Sequence, residues 1–299
     1  MKKILTLSAA AVALVFTACD DVNENDRKIP LEIQETEKVI LAEEFTGANC
    51  PNCPLGAATL ASLHETFGKS LIPVSLYPNQ LSSLTEPKGV DLRTAEASEI
   101  FAAYNQENIL PSVMFNRTRI DGKVLQATKP DVWGGNVYDL FESSKGQYSP
   151  CDIELSGSYD EASRTLTVNY LATFKHLVSQ EVAFQVYVLE DGIISRQAGP
   201  NGLLPRYENN HVLRKALEGT WGKSYGANHT PGTTIEGSVT YTLSEEGKWT
   251  ADAPKDSPVS KMENVSLVGF VCNVGGDREV LHAVQLPKLT IIKQPETEE

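Results

Sequence analysis

Residues 38–67 read KVILAEEFTGANCPNCPLGAATLASLHETF, and the order of patterns in this stretch decides the fold. Lys38–Phe45 is a short apolar run that ends in two acids and a phenylalanine, the pattern of a strand. Thr46-Gly47-Ala48-Asn49 is a turn. Gly56–Phe67 places apolar residues at helical spacing among good helix formers, and Gly68 ends it as a C-cap. A Cys50-Pro51-Asn52-Cys53 pair therefore sits between a strand and a helix. Unpaired N–H groups and the helix dipole stabilise a thiolate at such a helix start, which makes Cys50 a candidate nucleophile. Cys53, one turn on, is placed to resolve a mixed disulfide. Glu44 lies in the strand leading to the pair and is a candidate acceptor for the proton of the resolving thiol. A C-x-x-C pair also serves as a structural cross-link or as half of a metal site. Zinc needs three or four ligands, and the chain has no second C-x-x-C or H-x-x-x-H, so no metal is expected.

Towards the C-terminus, Leu71–Tyr77 reads as a second strand and Thr94–Gln106 as a helix. Leu110-Pro111-Ser112 opens a strand to Phe115. Asp121-Gly122 is a hairpin signal leading into a strand around 123–125. Lys129–Ser144 reads as a helix with Pro130 in its first turn. After Pro150 the pattern changes to alternating, β-branched runs at 152–159, 165–174, 182–189, 192–196, 234–242, 265–273 and 279–286, separated by turn residues. Tyr207–Leu217 fits a strand or a short helix. The expected organisation is an α/β domain at 37–148 followed by an all-β, immunoglobulin-like sandwich at 150–290.

Towards the N-terminus, Lys2 and Lys3 precede the apolar run Ile4–Phe16 and the small residues Thr17 and Ala18. A spanning helix needs about 20 residues, so this run reads as a secretory signal over 1–18. Phe16-Thr17-Ala18-Cys19 resembles the lipoprotein box, which makes Cys19 the expected lipidation site and the membrane an expected partner through that anchor. Residues 19–36 are acidic, polar and without period, a tether. A net charge of −13 disfavours nucleic acid. Of five cysteines, Cys19 is assigned to lipid. In an oxidising compartment Cys50–Cys53 is then an expected disulfide, and Cys151 with Cys272 is a candidate structural disulfide. No phosphate loop, Ser–His–Asp spacing or cofactor motif is present, and no cofactor is expected. The sequons Asn116-Arg117-Thr118 and Asn228-His229-Thr230 carry little meaning in a bacterial chain.

The strand VILAEEF, the cysteine pair and the following helix resemble the active-site unit of the thioredoxin fold, and Ile109-Leu110-Pro111-Ser112 resembles its cis-proline loop. The resemblance implies a cis Pro111, a buried acid at Glu44 and substrate backbone bound by Leu110, Pro111 and Ser112. Asn49 departs from it, because most relatives carry Trp beside the first cysteine. More widely, EEFTGANCPNCP, NNHVLRKAL and the late VSLVGFV and VLHAVQLP runs resemble the outer-membrane-protein-28-related lipoproteins. These join a thioredoxin-like domain to a β-sandwich. The resemblance implies an outer-membrane lipoprotein, with surface exposure as one arrangement. Two functions follow as expectations. One is thiol-disulfide exchange on exported proteins or peptides. The other is non-catalytic binding or adhesion to a surface ligand, with the first domain as scaffold and the sandwich as the binding unit.

Overall fold

The computed structural model describes residues 38–81, 90–127, 129–144, 148–243 and 261–293, all within a unit spanning Glu35–Glu299. The expected signal peptide at 1–18, the lipidation site Cys19 and the tether at 19–36 lie outside the described residues. The first half runs Ile40–Phe45 (β1), Cys53–Phe67 (α1), Leu71–Leu76 (β2), Ala95–Tyr104 (α2), Ser112–Phe115 (β3), Leu125–Gln126 (β4) and Trp133–Ser143 (α3). β1 pairs parallel with β2 and antiparallel with β3. The N-cap of α2 is Thr94, whose side chain accepts from Ala97 N. Asp121 and Gly122 both have positive φ, 50° and 78°, the geometry of a type I′ turn. Pro130 opens a short 3₁₀ turn that leads into α3.

The described residues of the second half form strands, with one short 3₁₀ turn at Met262–Asn264: Cys151–Asp160 (β5), Thr165–Phe174 (β6), Val182–Glu190 (β7), Ile193–Gly199 (β8), Gly202–Asn209 (β9), Val212–Ala216 (β10), Lys223–Ser224 (β11), Thr234–Thr242 (β12), Val265–Asn273 (β13), Val280–Leu286 (β14) and Thr290–Ile292 (β15). Tyr207–Leu217, readable as strand or helix, is strand on both sides of a break at Asn210. β9 was not visible in the residue pattern, for it is exposed along nearly its whole length and contains Pro205. A proline that cannot donate is tolerated in such an edge strand.

The protein is mostly β. The large sheet does not stop at the expected boundary near residue 149. It runs β14-β13-β7-β10-β2-β1-β3-β4, with β11 also on β7, so strands from both halves share one hydrogen-bonded surface. The junction is narrow: β10 meets β2 at Val212 and Ser75. A second sheet, β12-β6-β5-β15, lies over the β7–β13 part of the first. β7 and β13 are covered on both faces, which is why their sequences, VAFQVYVLE and VSLVGFVCN, are nearly unbroken in apolar residues. Phe184, Val186 and Val188 of β7 face the second sheet, while Ala183, Tyr187 and Leu189 face the core closed by α2. Across the sandwich, the rings of Tyr170 and Phe184 stack at 3.9 Å.

This arrangement rules out the expected Cys151–Cys272 bridge. Both are free and buried thiols. Cys151 points into the core between the two sheets, whereas Cys272 points to the other side of β13, into the core beneath α2. Burial pushes the Cys151 thiol up to about 12 and also raises that of Cys272, so both are poor nucleophiles.

Candidate functional site

The site grows from the end of β1. Successive residues of a strand face opposite sides, so Glu43 and Glu44 part company. Glu43 faces the α2 core, where Arg117 donates to it twice, Nε to Oε2 and Nη2 to Oε1, each at 2.7 Å. Tyr187 of β7 adds its hydroxyl to Glu43 Oε1 at 3.1 Å. All three side chains are buried. Burial alone would lower the pKa of Arg117, but Glu43 reverses this and holds the guanidinium firmly charged. Asn116 and Arg117 are interior, so that sequon is a structural corner. The Asn116 amide accepts from Leu41 N at 2.7 Å and donates to Val39 O at 3.0 Å.

Glu44 faces α1 instead. It is fully buried, and neither carboxylate oxygen has a hydrogen-bond partner. Burial therefore raises its pKa well above the ordinary carboxylate value. Gly56 of α1 makes room for it. A Cβ there would collide with Glu44 Oε1 and come within 3.1 Å of both Pro111 and Trp133. The expected result for Gly56→Ala is a loss of about 1–3 kcal/mol, measured by urea unfolding, as overpacking forces these groups apart.

The turn after β1 is closed by Cys50 N donating to Gly47 O, and Cys53 N donates to Cys50 O. Helix α1 starts at Cys53, with Pro54 in its first turn. Cys50 thus stands just ahead of the helix. Cys50 and Cys53 are joined in a disulfide with Cα atoms 5.4 Å apart. Both are buried, with 2% and 1% of their surface exposed.

The Leu110–Pro111 peptide bond is cis. Asn105, at the C-terminal end of α2, builds this loop: it donates to Ile109 O at 2.8 Å and to Ser112 Oγ at 3.1 Å, and accepts from Ile109 N at 3.0 Å. Leu110 and Pro111 line an open cleft of about 730 Å³ with Asn52, Leu55 and Lys129. Ser112 is not in that wall; it is fully buried and its hydroxyl donates to Ile109 O. On the other side of the disulfide, a cavity of about 240 Å³ is walled by Glu44, Cys53 and Tyr77 and closed by Gln197, Tyr207 and Asn209 from the second half. Burial, with Glu44 adding to it, pushes Tyr207 up to about 12.

Several of these residues carried no signal in the sequence. Asn105, Gln197 and Tyr207 belong to no motif, and Asn209 opens the NNHVLRKAL run, which by itself says nothing of this site; the last three reach the site across some 130–150 residues of chain, as in the Tyr77–Asn209 and Gln197–Gly47 hydrogen bonds. His64 ties α1 to the start of β2, with Nδ1 donating to Leu71 O at 2.7 Å. Among the described residues no group of three or more His, Cys, Asp and Glu is arranged to hold a metal. No helix among them is long and apolar enough to cross a membrane.

Fold and site together define a mostly β protein with one disulfide set at a helix start, between a cis-proline cleft and a buried acid. The family model for outer membrane protein Omp28 matches residues 98–289, and the chain belongs to that family of outer membrane proteins. Among solved structures, HBP35 of Porphyromonas gingivalis superposes with a TM-score of 0.63 at 15% identity, covering 88% of this chain and 80% of its own. Protein AGR_C_4864 from Agrobacterium tumefaciens matches with a TM-score of 0.47 at 14% identity, covering 87% of this chain and 99% of its own. No curated protein sequence matches the chain.

Proposed function

We propose that this outer membrane protein is a lipid-anchored thiol-disulfide exchange protein, with a thioredoxin-like unit around Cys50 and Cys53 that acts on exported proteins or peptides. The observation that carries this reading is Glu44, a fully buried carboxyl without a hydrogen-bond partner in the wall of a cavity shared with Cys53. A structural cross-link has no use for a costly buried acid beside it. Reduced Cys50, as thiolate, attacks a substrate disulfide; a Cys50–substrate disulfide forms and one substrate thiolate leaves. Cys53 then attacks Cys50 Sγ, gives its proton to ionised Glu44 and releases the second substrate thiolate. In reverse, the resting disulfide oxidises a substrate dithiol, and neutral Glu44 protonates Cys53 as it leaves. Leu110 and Pro111 hold the substrate strand in the adjoining cleft. The lipid at Cys19 and the acidic tether at 19–36 keep this unit at the membrane, with exposure at the cell surface as the arrangement we favour.

Cys53→Ala tests the proposal. The variant should accumulate a mixed disulfide between Cys50 and an exported partner, visible as a reducible higher band in cell extracts and absent from Cys50→Ala/Cys53→Ala. A second reading is favoured by the burial of both sulfurs: a surface-binding lipoprotein in which the pair only braces the scaffold. That reading gains if the single variant captures nothing and the purified chain neither oxidises nor reduces a model peptide.

A further inference from the structure

The loop that carries Cys50 is held by an element that the first half of the chain does not contain. β8 and β9 form a two-stranded hairpin of their own. Its base is tied to the end of β2: Tyr77 donates to Asn209 Oδ1 at 2.8 Å, and Asn209 Nδ2 donates to Ile193 O at 2.8 Å and Ser195 Oγ at 2.9 Å. Further along β8, Ile193, Ser195 and Gln197 turn inward while Ile194 and Arg196 face solvent. Gln197 is 2% exposed, and its Nε2 donates to Gly47 O at 3.0 Å and to Cys50 O at 3.1 Å. Ala198 N donates to Ala48 O at 2.8 Å. The loop that carries Cys50 is therefore hydrogen-bonded at Gly47, Ala48 and Cys50 to a strand from the other half of the chain. β9, by contrast, rests on little: residues 202–206 are all exposed, Leu203 by 55%.

We propose that this hairpin is the specificity element of the Cys50–Cys53 disulfide, and that Gln197 is the positioning residue that latches it over Cys50. The inference rests on the exchange reading above and adds which reactants it admits. While the hairpin is down, a small thiol approaches the sulfurs but the face of a folded protein does not. A firm base at Asn209, a weakly held outer strand and a short latch at Gln197 form a hinged cover, because elements with few buried contacts open at low cost. Lifting it breaks the latch bonds to Gly47 and Cys50 and frees the loop beside the cis-proline cleft for an extended substrate.

The test compares two reductants on the purified full chain: dithiothreitol and a reduced dithiol protein of thioredoxin size. The readout is the ratio of their rates of reducing Cys50–Cys53, followed by thiol alkylation. Gln197→Ala should raise the protein-to-dithiothreitol ratio at least tenfold. Gln197→Glu keeps the length but cannot donate to two carbonyls, and should behave like Gln197→Ala. Arg196→Ala, on the solvent side of the same strand, should leave the ratio at the wild-type value. General loosening would raise both rates by the same factor; that result, or an unchanged ratio, overturns the latch. Failure of the exchange reading is separate. A raised ratio with no partner captured by Cys53→Ala keeps the cover and removes the enzyme, while a captured partner with an unchanged ratio does the reverse.

Discussion

Arg117→Met is expected to destabilise the protein by about 3–5 kcal/mol, the cost of leaving one member of a buried ion pair alone. Methionine retains much of the volume of the arginine stem, so the loss is mainly electrostatic and not that of an empty cavity. Glu43 would keep one hydrogen bond, from the Tyr187 hydroxyl at 3.1 Å, and lose both guanidinium contacts at 2.7 Å. The rings of Tyr104 and Phe270, whose centroids lie 5.8 and 5.7 Å from the guanidinium carbon, would lose their cation. An unpaired buried carboxylate escapes its penalty by taking up a proton. The deficit should therefore shrink as the pH is lowered from 8 towards 5. Glu43→Leu/Arg117→Met should recover most of the loss, since apolar replacements of a buried pair are often neutral or better. Urea titrations of the three chains at both pH values measure this. A single variant within about 1 kcal/mol of wild type would mean that Glu43 is solvated, contrary to its burial.

The second large effect concerns Glu44. Its folded pKa lies above the ordinary 4.5 because burial disfavours the charge. Below pH 4.5 the carboxyl is protonated folded or unfolded, and its burial carries no ionisation cost. Above that, the unfolded chain releases a proton that the folded chain keeps, so stability falls as pH rises until the folded group itself ionises. The slope is about 1.4 kcal/mol per pH unit. Glu44→Gln has no such proton to lose. Relative to wild type it should gain stability from pH 5 upward at about that slope, levelling off where Glu44 ionises in the folded protein. A difference independent of pH would show that Glu44 is charged and paired. In the exchange reading the pH of levelling is also where Glu44 passes from proton donor to proton acceptor for Cys53.

Much of the site was legible because its parts are local. The strand, turn, cysteine pair and helix of 38–67 are set by neighbouring residues, and the Asp121-Gly122 turn by the positive φ that only certain residues adopt readily. The cis Pro111 was implied by the resemblance of Ile109–Ser112 to the cis-proline loop of the thioredoxin fold. Glu44 was legible as a candidate, but its lack of a partner was not, because nothing local distinguishes it from Glu43. One residue of register decides which of the two meets Arg117 and which faces Gly56. The candidate bridge between Cys151 and Cys272 failed for a similar reason. Counting cysteines says nothing about which side of a doubly covered strand each faces.

The stretch from Lys38 to Phe67 by itself determined that a cysteine pair would stand between a strand and a helix, and the β-branched runs after Pro150 determined a mostly β second half. Hydrogen bonding and side-chain period act over a few residues, and such patterns survive in the linear chain. Only the tertiary structure decided that both halves share one sheet, that Tyr187 would complete the Glu43–Arg117 pair, and that Gln197 would donate to the Cys50 carbonyl. Those contacts join residues 70 to 147 positions apart in sequence. They depend on how faces of finished strands meet, which no local preference encodes.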